Sequence, residues 1–368
     1  GIPVTIIDSY SDVPTDPRAS TFHPPTMEIL KPIGVTDDMQ KHGIEVTKWQ
    51  YRDRKKGIIA EFDLSVLSDL TDYPFRLHFE QHKYAQLLLR RVQHFDQANV
   101  IKNATVERAH QSKTNVTLEY NQAGNKKKAI GKYAIGADGG RSTVRHSLGV
   151  EFQGLTFPER FLVLTTSFNF RPHGFSGTCY IADPKEWCSM FNVPGDGPPG
   201  RWRVVFPDSS NRSQEELFAD DLCQDRLQRF FPHPEKKLYD ILHKNIYQVH
   251  QRIARTFRVE KIFLAGDAAH VNNPLGGMGL NFGIHDAINI ADKIAQVWVG
   301  ETDQSVFDLY DRQRRTVAEE YLLAQTAQNK RDLEENEPVE REKRQKEWQD
   351  IANDPDRAKA FLMRTAMF

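Results

Sequence analysis

Two stretches of the chain combine residue types whose spacing could do chemistry. The first is FLAGDAAHVNNPLGGMGLNFGIHDAINIADKI, residues 263–294. Its hydrophobic start reads as a strand that delivers Asp267 to its carboxyl end, where open α/β sheets bind ligands. Gly276, Gly277 and Gly279 follow, and without Cβ atoms they let the backbone approach a flat or anionic ligand. A helix beginning near Asn281 then turns free N–H groups and a positive dipole end toward that ligand. Such a geometry stabilises negative charge on a phosphate or a reduced ring. A capped helix after a glycine-rich connection would explain one glycine pair, but not the whole run.

The second stretch is YAIGADGGRSTVRHSLGV, residues 133–150. A strand ends in a turn containing Gly136, Asp138 and Gly139, with Ser142 as N-cap of a short helix that carries Arg145. Asp138 is an acceptor for hydroxyl or amide donors, and Arg145 could neutralise a phosphate or pair with an acid. A plain turn and helix would look the same. At the start, GIPVTIIDSY reads as a buried parallel strand, Val4–Ile7, with Asp8 at its end. In a dinucleotide-binding fold an acid there bonds a ribose hydroxyl, roughly 20 residues after a Gly-rich turn. Only three residues precede this strand.

The elements that must position these residues show a change of texture. PPTMEILKPIGV reads as a short helix, with Pro25 in its first turn and Gly34 beyond its end. EVTKWQYRD and GIIAEFDL, within 43–79, read as a small β insertion, and EQHKYAQLLLRRVQHF has a helical period. From Phe157 to Val249, short β-rich runs split by Pro and Gly predict a mostly antiparallel sheet, with helices after Gln214. RVEKIFLAGDAA returns to the first texture. The expected organisation is therefore α/β and discontinuous: a Rossmann-like part at 1–156, a β-sheet domain at 157–250, a second Rossmann-like part at 251–330 and charged helices at 331–368. LEENEPVEREKRQKEWQD reads as a solvated helix surface.

The bulk numbers limit the classes of function. The 368 residues carry 49 Lys plus Arg against 50 Asp plus Glu, so no basic excess points to nucleic acid or an anionic membrane. Cys179, Cys188 and Cys223 fit neither a disulfide framework nor a zinc site, and the thirteen histidines show no metal spacing. A reducing, cytoplasmic setting is expected. Gly1–Ile7 has no basic leader, and the apolar helix at 282–299 carries too many polar residues to span a membrane.

Together, GADGGRSTVR and GDAAHVNNPLGGMGLN resemble the Asp-Gly and Gly-Asp motifs of the class A flavoprotein monooxygenases, the aromatic hydroxylases typified by p-hydroxybenzoate hydroxylase. PRASTFHPPTMEIL resembles that family's Arg-containing loop, EQHKYAQLLL its Gln-containing helix, and YDRQRRTVAEEYL its later Tyr and Arg helix. The resemblance covers nearly the whole chain. It implies an enzyme that binds FAD, takes hydride from NADH or NADPH, and uses O₂ through a flavin C4a-hydroperoxide to hydroxylate a phenolic ring. It also implies roles for individual residues. Asp8 would bond the adenosine ribose, and Arg18 and Gln81 would contact FAD near its phosphates and ribityl chain. Asp138 and Gly139 would lie beside the pyrophosphate. Asp267 would hold the ribityl chain, and Pro274 would lie against the flavin ring next to the substrate. The loop carrying Gly276 leads to the N–H groups of Gly279, Leu280 and Asn281, which would face the N1–C2 edge of the ring. Dimers are common in this family.

The chain departs from the family in two places. Asn273-Pro274 stands where Pro-Pro is usual, and the first strand, Gly-rich turn and first helix are absent. From that second departure, weak FAD binding and an exposed sheet edge are expected. Tyr180, Trp187, Met190, Phe191, Trp202 and Phe206 are candidate pocket liners, each with ordinary core packing as its alternative. His270 reads as a structural hydrogen-bonding residue. Competing functional readings are a flavin-free binding protein and a related FAD enzyme with epoxidation or Baeyer–Villiger chemistry.

Overall fold

The computed structural model describes residues 1–16 and 18–368. Its largest element is an eight-stranded sheet. In spatial order the strands are His270–Val271, Ile241–Ala254, Phe152–Thr166, Arg201–Asp208, Cys188–Val193, Thr178–Ala182, Lys48–Asp53 and Gly57–Asp63. FLVLTT, within Phe152–Thr166, is apolar at consecutive positions because the sheet is covered on both faces. Phe161 and Val163 pack with Trp49 and Trp187 on one side. Leu162 and Leu164 pack with Phe170 and Trp202 on the other, beneath the Asp220–Phe230 helix.

The strands expected as a small insertion at 43–79 extend this sheet. Lys48–Asp53 lies parallel to Thr178–Ala182, with Trp49 opposite Thr178 and Tyr51 opposite Tyr180. Strands Phe152–Thr166 and Ile241–Ala254 run unbroken through residues 157 and 250, and pair along nearly their whole length. The Rossmann-like and β parts are therefore joined by shared backbone hydrogen bonds rather than by a flexible linker.

Two pieces of parallel sheet carry the motifs. Ala134–Gly136 pairs in parallel with Ile262–Leu264, which brings the Asp138 and Asp267 turns to adjacent strand ends. Val4–Ile7 pairs in parallel with Ala98–Ile101. Its expected burial is not seen, since Val4 is 47% and Ile6 38% exposed. The strand is bonded along one edge, and these side chains face solvent. The Gly279–Val299 helix begins two residues before Asn281 and ends on Gly300 in the left-handed region, φ 80°.

The charged C-terminal segment is not simply a solvated surface. In the Pro338–Asn353 helix, Gln345 and Trp348 are buried. Trp348 stacks on Tyr51 with centroids 4.9 Å apart and meets Phe361, from the Pro355–Thr365 helix, edge-on at 5.0 Å. Gln345 Nε2 and Arg341 both donate to the buried Asp53 carboxylate. One aromatic in a charged helix suffices to dock it where the partner sheet offers an aromatic slot. Trp348→Ala is expected to cost about 3 kcal/mol, read as a lower denaturant midpoint in equilibrium unfolding.

A buried carboxylate ties the Gly-Asp turn to the helices. Asp286 Oδ2 accepts the Gly266 N–H at 3.0 Å and His270 Nε2–H at 2.7 Å, while Oδ1 accepts Arg314 Nε–H at 2.6 Å. Tyr310, on the same helix as Arg314, donates its hydroxyl to the Leu264 carbonyl at 2.5 Å. Burial opposes the charge on Asp286, but His270 and Arg314 outweigh it and hold the carboxyl below its ordinary value. A depressed carboxyl contributes stability above the unfolded value, near pH 4, and loses it as pH falls further. Asp286→Asn should thus cost about 3 kcal/mol near neutral pH. Its acid-unfolding curve should fall less steeply below pH 4 than that of the parent, as circular dichroism during acid titration would show.

Candidate functional site

The site is built around the Gly-Asp turn. Asp267 lies in the short 3₁₀ turn Gly266–Ala268, directly after the buried Ile262–Leu264 strand. Its side chain is exposed and accepts no hydrogen bond from the described residues. The surrounding low-dielectric walls nonetheless push its carboxyl upward, and His270 and then Arg18 pull against that shift. Arg18 is thus close enough for its charge to act on Asp267. The Gln81 N–H donates to the Ala19 carbonyl at 2.9 Å, which sets the start of the Gln81–Val92 helix beside Arg18.

The Asp-Gly turn is clamped to the Gly-Asp turn by Arg145. Its Nη1 donates to the Ala268 carbonyl and its Nη2 to the Gly140 carbonyl, both at 2.8 Å. The guanidinium also lies 3.8 Å from the Phe152 ring centroid. Arg145 is therefore not free to meet a phosphate or an acid, because burial has committed its donors to two carbonyls. Ser142 caps the helix as expected, accepting the Arg145 N–H at 2.9 Å. Asp138 is exposed and accepts the Val144 N–H at 3.1 Å. Beyond Gly139, φ 81°, there is open space where a Cβ would stand.

The glycine-rich loop has an internal reason for its composition. A Cβ on Gly276 would stand 2.8 Å from Asn329 Nδ2, and one on Gly279 would stand 2.8 Å from Asn272 Oδ1. Gly276 also has φ 104°, which side chains rarely adopt. Asn273, in the place of the family's first proline, works inside the protein. Its Oδ1 accepts the Leu275 N–H at 2.9 Å and its Nδ2 donates to the Thr326 carbonyl at 3.3 Å. Pro274 is half-buried and accepts the Gly277 N–H at 3.0 Å, closing the turn.

The Asn281 side chain is likewise internal: it accepts the His23 N–H and donates to the carbonyls of Thr21 and Gly277. His23 Nε2–H in turn donates to the Gly276 carbonyl at 3.0 Å, and burial, foremost, lowers this histidine to about 3. The N–H groups of Gly279, Leu280 and Asn281 find no acceptor among the described residues. They form the free donor set at the head of a long helix. Asp8 stands apart: its carboxylate accepts the Tyr10 N–H at 2.8 Å and closes its own turn.

The other face of the Gly276 loop walls a small cavity of about 40 Å³, lined by Trp49, Tyr51, Arg76, Tyr180, Met278 and helical residues near Trp348. Of the expected pocket liners, only Tyr180 lines it. Met190, Trp202 and Phe206 belong to the core on the far side of the sheet, because alternate strand residues face opposite ways. Trp187 packs edge-on against Phe161 and donates its Nε1–H to Glu334. Phe191 lies behind Tyr180, centroids 6.1 Å apart. The alternation in EVTKWQYRD carried a signal for Trp49 and Tyr51, which share a face. Nothing local marked Arg76.

No helix among the described residues is long and apolar enough to cross a membrane. A sequence family described as an FAD binding domain matches residues 1–325. The para-nitrophenol 4-monooxygenase of Pseudomonas sp. (strain WBC-3) is 30% identical over 364 residues, covering 99% of this chain and 89% of that protein. The 6-hydroxy-3-succinoylpyridine 3-monooxygenase HspB of Pseudomonas putida (strain DSM 28022 / S16) is 28% identical over 343 residues, 92% of this chain and 85% of that one. The crystal structure of p-nitrophenol 4-monooxygenase PnpA from Pseudomonas putida DLL-E4 aligns with a TM-score of 0.93 at 29% identity, over 100% of this chain and 92% of that one. With paired Asp-Gly and Gly-Asp turns on adjacent parallel strands and a family match over most of its length, the chain belongs to the class A FAD-dependent monooxygenases, the aromatic hydroxylases.

Proposed function

We propose that the chain hydroxylates a small phenol at the expense of NADH or NADPH and O₂. One oxygen atom enters the ring and the other leaves as water, and the nicotinamide supplies two electrons. The observation that carries this reading is the shared Gly276 loop. It leads from the Gly-Asp turn into the helix whose first N–H groups are free, and it walls a small aromatic-lined cavity. When bound, FAD supplies the redox chemistry, from hydride acceptance to oxygen activation.

The residues suit that group. Asp267, an acid with no protein donor, would accept from a ribityl hydroxyl. Asp138 and Gly139 would lie beside the pyrophosphate, with the Arg145 clamp holding their turn in place. Gly279, Leu280 and Asn281 would direct their free N–H groups at the ring edge where reduction leaves negative charge. Pro274 would lie against the ring, and Arg18 and Gln81 would contact the phosphate and ribityl side. Asp8 could bond a ribose with Oδ2, since Oδ1 already accepts from Tyr10. Tyr180, whose hydroxyl lies beside the Arg76 guanidinium, would face the substrate ring. The three buried, unpaired cysteines support a reducing cytoplasmic setting.

Reconstitution with FAD tests the reading. A flavin absorbance band is expected, together with NAD(P)H oxidation that a phenol such as 4-nitrophenol stimulates and a hydroxylated product that accounts for it. Flavin binding without any stimulated, product-forming turnover would refute the substrate assignment and leave the cofactor. Asp267→Asn should weaken FAD binding by about tenfold. Because the folded site disfavours the ionised acid, the apoprotein should melt at the same temperature or higher. A fall in apoprotein melting temperature with unchanged FAD affinity would assign Asp267 a purely structural role.

A further inference from the structure

Arg76 is a cation without a counter-charge. It lies on the Arg76–His78 strand, is 3% exposed and lines the aromatic cavity. It makes no ion pair among the described residues, its Nε has no hydrogen-bond partner, and only the Tyr180 hydroxyl lies beside the guanidinium. Its guanidinium sits 5.2 Å from the Trp49 ring centroid, which orients the charge without neutralising it.

The groups its charge reaches do not compensate it. They are Tyr180, Tyr321, His23 and His78. Burial, as the largest cause, keeps His23 and His78 at about 3 and about 4, so both stay neutral, and burial also raises the two tyrosines. The one carboxylate in the cavity lining, Asp332, is taken by Arg344 Nε at 3.2 Å and Gln328 Nε2 at 2.7 Å. A buried charge with no partner is costly unless a ligand supplies one.

We propose that Arg76 is the specificity-determining anchor of this site, and that the substrate enters as an aromatic anion whose ring-borne oxyanion, phenolate or carboxylate, pairs with the guanidinium. The ring then packs against the Trp49 and Tyr180 pair, which meet each other edge-on with centroids 5.8 Å apart. This inference rests on the hydroxylase reading and adds the charge of the substrate to it. Tyr180 shares the anion, so the ring is oriented by two donors from strands of two different sheets.

The test uses the FAD-loaded protein with benzoate and its neutral counterpart benzamide, and binding is read from tryptophan fluorescence and flavin absorbance. Benzoate is expected to bind at least about tenfold more tightly than benzamide. Arg76→Met should abolish that preference at unchanged FAD content and an equal or higher melting temperature, and Arg76→Lys should retain part of it. With 4-nitrophenol, affinity should rise as pH passes through the phenol's own ionisation in the parent but not in R76M. A matching pH dependence in the two proteins would locate the phenolate elsewhere. An unchanged benzoate preference in both variants would overturn the proposal while leaving the hydroxylase reading intact. Loss of FAD from R76M with intact fold would assign the cation to the cofactor instead. Should R76M fail to fold, the comparison of R76K with the parent decides, and equal benzoate-to-benzamide ratios overturn the proposal. A parent protein that holds FAD yet binds no aromatic of either charge would overturn both readings.

Discussion

Much of this structure depends on one buried anion, Asp286. Its two oxygens receive a backbone N–H from the Gly-Asp turn, an imidazole N–H from His270 and a guanidinium N–H from Arg314. These donors come from the turn at a strand end, the short strand after it and a helix whose Arg314 lies 28 residues beyond Asp286. An ionised carboxylate buried here is tolerable only when all three converge, so the geometry of the turn is held by the need to solvate a charge. Asp267 can then remain unbonded, because its backbone is positioned by the residue before it.

The same logic runs in reverse on the other side of the Gly276 loop. There the fold buries a guanidinium and offers it Tyr180 and the Trp49 face, but no carboxylate. Asp286 and Arg76 are thus buried charges of opposite sign under different rules. Asp286 is saturated from within and serves rigidity. Arg76 is left incomplete, and that incompleteness is the basis of the proposed preference for an anionic ring. Between them, the loop from Asn273 to Asn281 is fastened at several points by side-chain amides, which leaves its three leading helical N–H groups free without leaving the backbone loose.

Legibility from sequence followed how local each cause was. The Ser142 cap, the Gly-Asp strand end, the helix at Gly279 and the antiparallel runs between 157 and 250 depend on neighbouring residues, and all were readable. Burial of Val4–Ile7 was not, because an apolar run reports a capacity for burial and only tertiary partners realise it. Arg145 read as a free cation, yet it spends its donors on carbonyls at residues 140 and 268. Trp202 and Met190 read as pocket residues, but a one-residue difference along a strand decides which face is core and which is cavity.

The order and spacing of the Asp-Gly and Gly-Asp motifs determined the family, the cofactor and the α/β frame by themselves, since close backbone turns at strand ends need particular residues at particular steps. Tertiary structure decided which aromatics face the small cavity, that a charged C-terminal helix closes over it through Trp348, and that Arg76 stands there uncompensated. Those facts depend on residues brought together from distant parts of the chain. Whether a buried charge is satisfied depends on everything around it, and no stretch of sequence contains that information.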